Sequence, residues 1–141
     1  MANNVEFHDY SIEVKARIND AMIAALHEAS GEIVSQTVRN YDSAHRVATG
    51  QTKGSFTYAV DESKLESQIG SPLENAIWEE FGTGVYALNG DGRKTAWRYQ
   101  DEKGDWHTTT GKKGTRAFYN AFTSLKSAII SLFERKMKGI D

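Results

Sequence analysis

Between Ser11 and Asn40, apolar side chains return every three or four positions, at Val14, Ile18, Met22, Leu26, Ala29, Ile33 and Val34. That spacing defines one face of a helix. The charged residues Lys15, Arg17, Asp20, Glu28 and Glu32 fall mostly off this face. The pattern predicts a helix over residues 11–40, with Asp9 or Ser11 placed to cap its start. Such a helix is long for a small domain and suits an element that spans the molecule or meets a neighbouring subunit. Gly31 lies inside it at a cost of about 1 kcal/mol relative to alanine, which marks a kink or a close helix contact.

The polar stretch from Asn40 to Gly54 reads as a connection, after which the period changes from 3.6 to two. Phe56, Tyr58 and Val60 alternate with polar or small residues, and Leu65, Ser67 and Ile69 do the same beyond a turn at Asp61 to Lys64. An antiparallel hairpin over 55–71 follows. Pro72 ends it and opens a short helix over 72–81, capped by Ser71. Four glycines between Gly82 and Gly92, with Asn89 and Asp91, predict a flexible loop over 82–94. Trp97-Arg98-Tyr99 and Trp106-His107-Thr108 flank a polar turn, giving a second hairpin over 97–110 with its aromatics on one side. A last helical stripe over 116–138 contains Phe118, Ala121, Phe122, Leu125, Ala128, Ile129, Leu132 and Phe133 and ends on Arg135, Lys136 and Lys138, where cations suit the helix dipole. The order lacks strand-helix-strand alternation. It predicts a single α+β domain over 1–141, with an antiparallel sheet built from the two hairpins and packed against the long N-terminal and C-terminal helices.

The composition changes this picture little: 141 residues with 39% hydrophobic and 26% charged side chains suit one domain with its own core. Charge adds more. Residues 1–90 carry 6 basic and 13 acidic side chains, while residues 91–116 carry 7 and 4. Folding can mix these charges over one surface, or they can leave an acidic face on one copy to meet a basic one on another. With Cys 0, disulfides, thiolate metal sites and cysteine nucleophiles are excluded, and a reducing compartment is expected. No apolar run approaches the roughly 20 residues that cross a bilayer. The start, Met1 to Glu6, lacks the pattern of a secretory leader, so retention in the compartment of synthesis is expected.

Catalytic motifs are absent. Gly50-Gln51-Thr52-Lys53-Gly54-Ser55 and Gly111-Lys112-Lys113-Gly114-Thr115 have the wrong order for a phosphate loop, and the first leads into a strand rather than a helix. His8, His27, His45 and His107 have no metal-ligand spacing. Glu80 ends a short helix, an unfavourable place relative to that helix's own dipole. Its expected compensation is the amides of the following glycine turn, the Thr83 hydroxyl, or Arg93 or Arg116. No nucleophile stands near it in a recognisable pattern. The basic residues Arg93, Lys94, Arg98, Lys112, Lys113 and Arg116, interleaved with Trp97, Tyr99 and Trp106, form a candidate interface; bases stacking on such aromatics would make it a nucleic-acid surface.

Three local patterns together resemble a known family. Thr49-Gly50 before Gly54-Ser55-Phe56, then Ile69-Gly70-Ser71, then Ala76-Ile77-Trp78-Glu79-Glu80-Phe81-Gly82-Thr83-Gly84 are similar to the tail-completion proteins of long-tailed double-stranded DNA bacteriophages, also described as neck or minor tail components. The Glu-Phe-Gly-Thr-Gly run is the most specific part, and the resemblance covers most of residues 14–135. The chain departs from the family where members commonly carry a Tyr-Ala pair before the glutamate and a Pro-Phe before the last helix; here Ala76-Ile77-Trp78 and Arg116-Ala117-Phe118 stand in those places.

The resemblance implies a non-enzymatic structural protein that forms a ring and completes the tail or joins it to the head, encoded by a phage or a resident prophage. Its implied partners are other copies of itself and neighbouring neck or tail proteins, with packaged DNA within reach in the channel and with no membrane or small-molecule substrate. No cofactor is implied. It would assemble in the bacterial cytoplasm and end in the neck or tail of the virion. Thr49, Gly50, Glu80, Phe81, Gly82, Thr83 and Gly84 would be its assembly motif. The alternative is a DNA-interacting module that uses the basic stretch 93–116.

Overall fold

The computed structural model describes residues 9–45 and 50–140. Its elements, in order, are α1 (Ser11–Ala44), α2 (Gln51–Gly54), β1 (Thr57–Asp61), β2 (Glu66–Gly70), α3 (Glu74–Phe81), a 3-10 turn (Gly84–Tyr86), β3 (Trp97–Gln100), β4 (Trp106–Thr109) and α4 (Ala117–Lys138). The fold is α+β: two antiparallel two-stranded sheets accompany a long N-terminal helix and a C-terminal helix that packs on it.

The helix predicted over 11–40 runs four residues further, through Ala44, and part of the expected connection coils into α2. Asp9 accepts the Ser11 N–H at 2.9 Å just ahead of the first turn. Helices α1 and α4 run antiparallel. Asn40 Nδ2 donates to the Ala117 carbonyl at 2.9 Å near one end, and Lys136 reaches Glu28 at 3.3 Å towards the other. Their seam is built from small residues: Ala25 and Ala29 on α1, with Ala117 and Ala121 on α4, are all buried. Small side chains at a helix seam permit a close approach of the axes, and Ile33 on α1 and Leu132 on α4 are buried as well. The buried Thr37 hydroxyl returns to the Ile33 carbonyl at 2.8 Å, so its polarity is satisfied within the helix. Gly31 has open space where a side chain would stand, and the helix passes through it unbroken. Neither a kink nor a close contact requires glycine there.

The first hairpin pairs Tyr58 with Ile69 and Val60 with Ser67. These residues share the face towards α1, and the intervening positions are exposed. His27 Nδ1 and the Tyr58 hydroxyl are 3.2 Å apart, and Ser30 and Ser67 bond through their hydroxyls. Phe56 sits between Tyr41 and Phe118, with ring centroids 5.8 Å away on each side, and joins the hairpin to both long helices.

The second hairpin departs from the expected architecture. It forms its own sheet and does not extend the first. It is held through its flanks rather than by a face laid on α1 or α4. Its register pairs Trp97 with Thr109, Tyr99 with His107 and Gln100 with Trp106. Trp97 and Tyr99 therefore share one face, while Trp106 lies on the other beside Arg98, whose guanidinium is 5.2 Å from the indole centroid. The three aromatics do not face the same way.

Candidate functional site

The Glu-Phe-Gly-Thr-Gly run crosses the segment 110–114 at very short range. Thr83 N–H donates to the Lys112 carbonyl at 2.8 Å, Val85 N–H to the Thr110 carbonyl at 3.0 Å, and Lys112 N–H to the Thr83 hydroxyl at 3.0 Å. Gly82 and Gly84 take left-handed backbone angles, φ 80 and φ 60. A Cβ on Gly84 would press into the Thr110 carbonyl, and one on Gly111 into the Thr83 carbonyl. Glycine is thus required by conformation and by space at once. The first part of the predicted flexible loop is consequently tied down. Leu88 N–H returns to the Phe81 carbonyl at 2.9 Å, and the 3-10 turn uses Thr83 and Gly84 carbonyls.

Glu80 is buried, with 7% of its surface exposed. Its two carboxylate oxygens accept the Phe118 and Tyr119 N–H groups, each at 3.0 Å. These are donors in the first turn of α4, which have no partner within their own helix. A carboxylate at the wrong end of α3 is therefore at the favourable end of α4. Arg116 lies 3.7 Å from Glu80, takes a left-handed angle at φ 55, and stacks over Tyr119 at 4.3 Å and Phe81 at 5.2 Å. Of the expected compensating groups only Arg116 is present. Thr83 bonds Lys112 instead, and the Gly82 N–H closes α3 on the Trp78 carbonyl at 2.8 Å. Glu79, the neighbouring carboxylate, takes Lys112 Nζ at 2.9 Å, while its carbonyl accepts the Thr115 N–H at 2.6 Å.

On its other side this crossing forms one wall of an open cleft of about 940 Å³ between α3, residues 82–93 and the Trp97–Tyr99 face of the second hairpin. Ile77, Trp78, Phe81, Leu88, Trp97 and Tyr99 give it an apolar lining, and all but Trp97 are substantially exposed. Helix α3 turns Ala76 and Glu80 inward, which leaves its large apolar residues outward. The sequence reading places Ile77 and Trp78 on the short helix, within the stretch that carries the resemblance, but does not single them out as candidate interface residues, although more apolar residues around α3 than one buried face can use is a signal for them.

The candidate interface is divided by the fold. Arg93 and Lys112 line the cleft with Trp97, and Arg93 lies 5.8 Å from the Trp97 ring centroid. Arg98 is on the opposite face of the hairpin with Trp106, Arg116 belongs to the α4 terminus, and Lys94 and Lys113 are exposed on the two linkers. Gly50, at φ 76, starts α2 and accepts the Gly54 N–H at 2.9 Å. Thr49 lies outside the described residues. Among the described residues, no group of three His, Asp or Glu side chains is arranged to hold a metal, and no helix is long and apolar enough to cross a membrane. Comparison with protein-family models, curated proteins and solved structures finds no match.

Proposed function

We propose that this chain is a structural subunit of a long-tailed double-stranded DNA bacteriophage or prophage, assembling as a ring at the head-to-tail junction or the upper end of the tail. It completes the tail or joins it to the head and carries out no chemical reaction. The observation that carries this reading is the Glu-Phe-Gly-Thr-Gly run at 80–84. It resembles the signature of tail-completion proteins, and each of its polar members is engaged in architecture: Glu80 on α4, Thr83 on Lys112, and the two glycines where backbones cross. The exposed apolar cleft beside it supports an assembly role, because contiguous apolar surface of this kind suits a protein contact.

The DNA-binding alternative draws on Arg93 over Trp97 and Arg98 over Trp106, but these pairs lie on opposite faces of one hairpin and do not make a single track. A host carrying the phage or prophage, deleted for this chain and then complemented, tests the proposal. Deletion is expected to leave heads and tails unjoined or heads that lose their DNA, and the intact chain to restore joined particles containing it. Normal infectious particles from the deletion would overturn the reading. Affinity of the isolated chain for DNA that falls steeply with salt, without any incorporation into particles, would favour the alternative.

A further inference from the structure

We propose that Asn89, on the rim of the cleft, is a site of spontaneous covalent modification, converted to aspartate and isoaspartate through a cyclic imide. The sequence repeats a susceptible pair, Asn89-Gly90-Asp91-Gly92. In each pair the second residue is glycine, which has no side chain to shield its backbone nitrogen from the group before it. The fold then separates the two pairs. Asn89 and Gly90 are exposed, and beyond the chain neighbours no atom comes within 4 Å of where a Cβ on Gly90 would stand. A Cβ on Gly92 would instead press into the Gly84 carbonyl and the Ala87 methyl group. Packing on that side restrains the backbone around Asp91, and ring closure depends on bringing the reacting atoms into line. The asparagines at 19, 40, 75 and 120 lie in helices, and none precedes glycine.

The reaction needs only water. The Gly90 nitrogen attacks Cγ of Asn89; that bond forms as the bond from Cγ to the side-chain nitrogen breaks, and ammonia leaves with the Gly90 amide proton. Water then opens the imide at either carbonyl. One opening gives aspartate, and the other routes the main chain through Cβ and Cγ and gives isoaspartate. A single contact opposes the attack: Gly90 N–H donates to the Ala87 carbonyl at 3.0 Å, closing a turn over 87–90. Opening this exposed turn is a local event, and breaking one such bond slows the folded chain by no more than about tenfold. The consequence falls on the cleft. Its charged lining residues are Glu79 and Asp91 against Arg93 and Lys112, a formal balance of zero. A carboxylate at position 89 makes the cleft acidic, and the age of the chain sets when this happens.

The full-length folded chain is tested by incubation at mildly alkaline pH beside a synthetic peptide of residues 85–94. Samples taken over time are digested, and the peptides are separated and identified by mass spectrometry, with enzymatic methylation marking isoaspartate. Asn89 in the folded chain is expected to convert within about tenfold of the peptide's rate, and at least about tenfold faster than Asp91 isomerises or any helical asparagine converts. Isoelectric focusing of the intact chain should show a new band one charge more acidic. Asn89→Gln keeps the amide but disfavours ring closure, and it should remove both signals. Gly90→Ala, once thermal unfolding shows that it folds, should slow them by at least about tenfold, because its methyl group shields the attacking nitrogen. An Asn89 that stays intact in the folded chain while the peptide converts would overturn the proposal. So would Asp91 reacting as fast as Asn89, or an acidic band that persists in Asn89→Gln.

Discussion

At the scale of single residues, the two adjacent glutamates of α3 differ in what they hold. Lys112, paired with Glu79, has a half-exposed side chain, so this ion pair contributes at most about 1 kcal/mol. Glu80 is buried and accepts two N–H groups of α4. Glu80→Gln exchanges one accepting oxygen for a donor that faces another donor and removes the charge at the helix terminus, and it is expected to cost about 1.5–3 kcal/mol in denaturant unfolding. Lys112→Met should change stability by less than about 1 kcal/mol in the same measurement. The glycines separate in a similar way. Gly31→Ala adds a methyl group to open space in a regular helix and should stabilise by about 0.5–1 kcal/mol. Gly84→Ala forces a left-handed angle on alanine and drives Cβ into the Thr110 backbone. Its cost is expected to exceed the roughly 1–3 kcal/mol of the backbone angle alone, with loss of soluble folded protein as the readout.

At the scale of elements, only part of the apolar stripe on α4 is buried. Leu132 is 6% exposed, Leu125 is intermediate, and Phe122 and Ile130 are about half exposed. Leu132→Ala is therefore expected to cost about 2–5 kcal/mol and Leu125→Ala less, by denaturant unfolding. The hairpins differ in how they are supported: one lies on α1, while the other depends on its own pairing and turn. In that turn Asp101 accepts bonds from His107, Asp105 and Lys103. These hydrogen bonds, the one from His107 first, hold its carboxyl below the ordinary 3.8. A carboxylate with a depressed folded-state value stabilises above the unfolded-state value and loses that contribution as pH falls through the folded one. Acidification below about pH 4 should loosen β3–β4. Trp106 fluorescence followed during acid titration should report this loosening, and Asp101→Asn should remove the pH dependence and weaken the hairpin at neutral pH.

For the whole molecule, the antiparallel α1–α4 pair is the body to which the remaining elements attach, with small residues at its seam and Phe56 linking the first hairpin to both helices. Opening should follow that order. Amide exchange is expected to be slowest in the middle of α1 and in α4, intermediate in β1–β2, and fastest in β3–β4, which has no helix laid across it. Glu80 joins the cleft to this body, since α3 meets α4 through the carboxylate. Its replacement is therefore expected to speed exchange at the start of α4 and around residues 110–115 together, whereas Gly31→Ala should leave both unchanged.

Periodicity alone specifies both long helices, both hairpins and the α+β class, because burying one side of a helix or strand leaves a regular imprint on the residues that alternate between core and water. The glycines at 82 and 84 read in the sequence as a flexible loop, whereas the backbone crossing that excludes a side chain there belongs to the tertiary structure. The boundaries at Ala44 and Gln51 escape periodicity, since polar residues coil as readily as they connect. Which half of the α4 stripe is buried depends on where α1 lies. The separation of the two hairpins, with Trp106 turned away from Trp97 and Tyr99, is set by strand register. The partner of Glu80 is 38 residues away in Phe118 and bonds through its backbone, a donor every residue but proline possesses and no residue type announces. The cleft likewise exists only once α3, residues 82–93 and the second hairpin are brought together, because surface left uncovered is a property of the packed molecule.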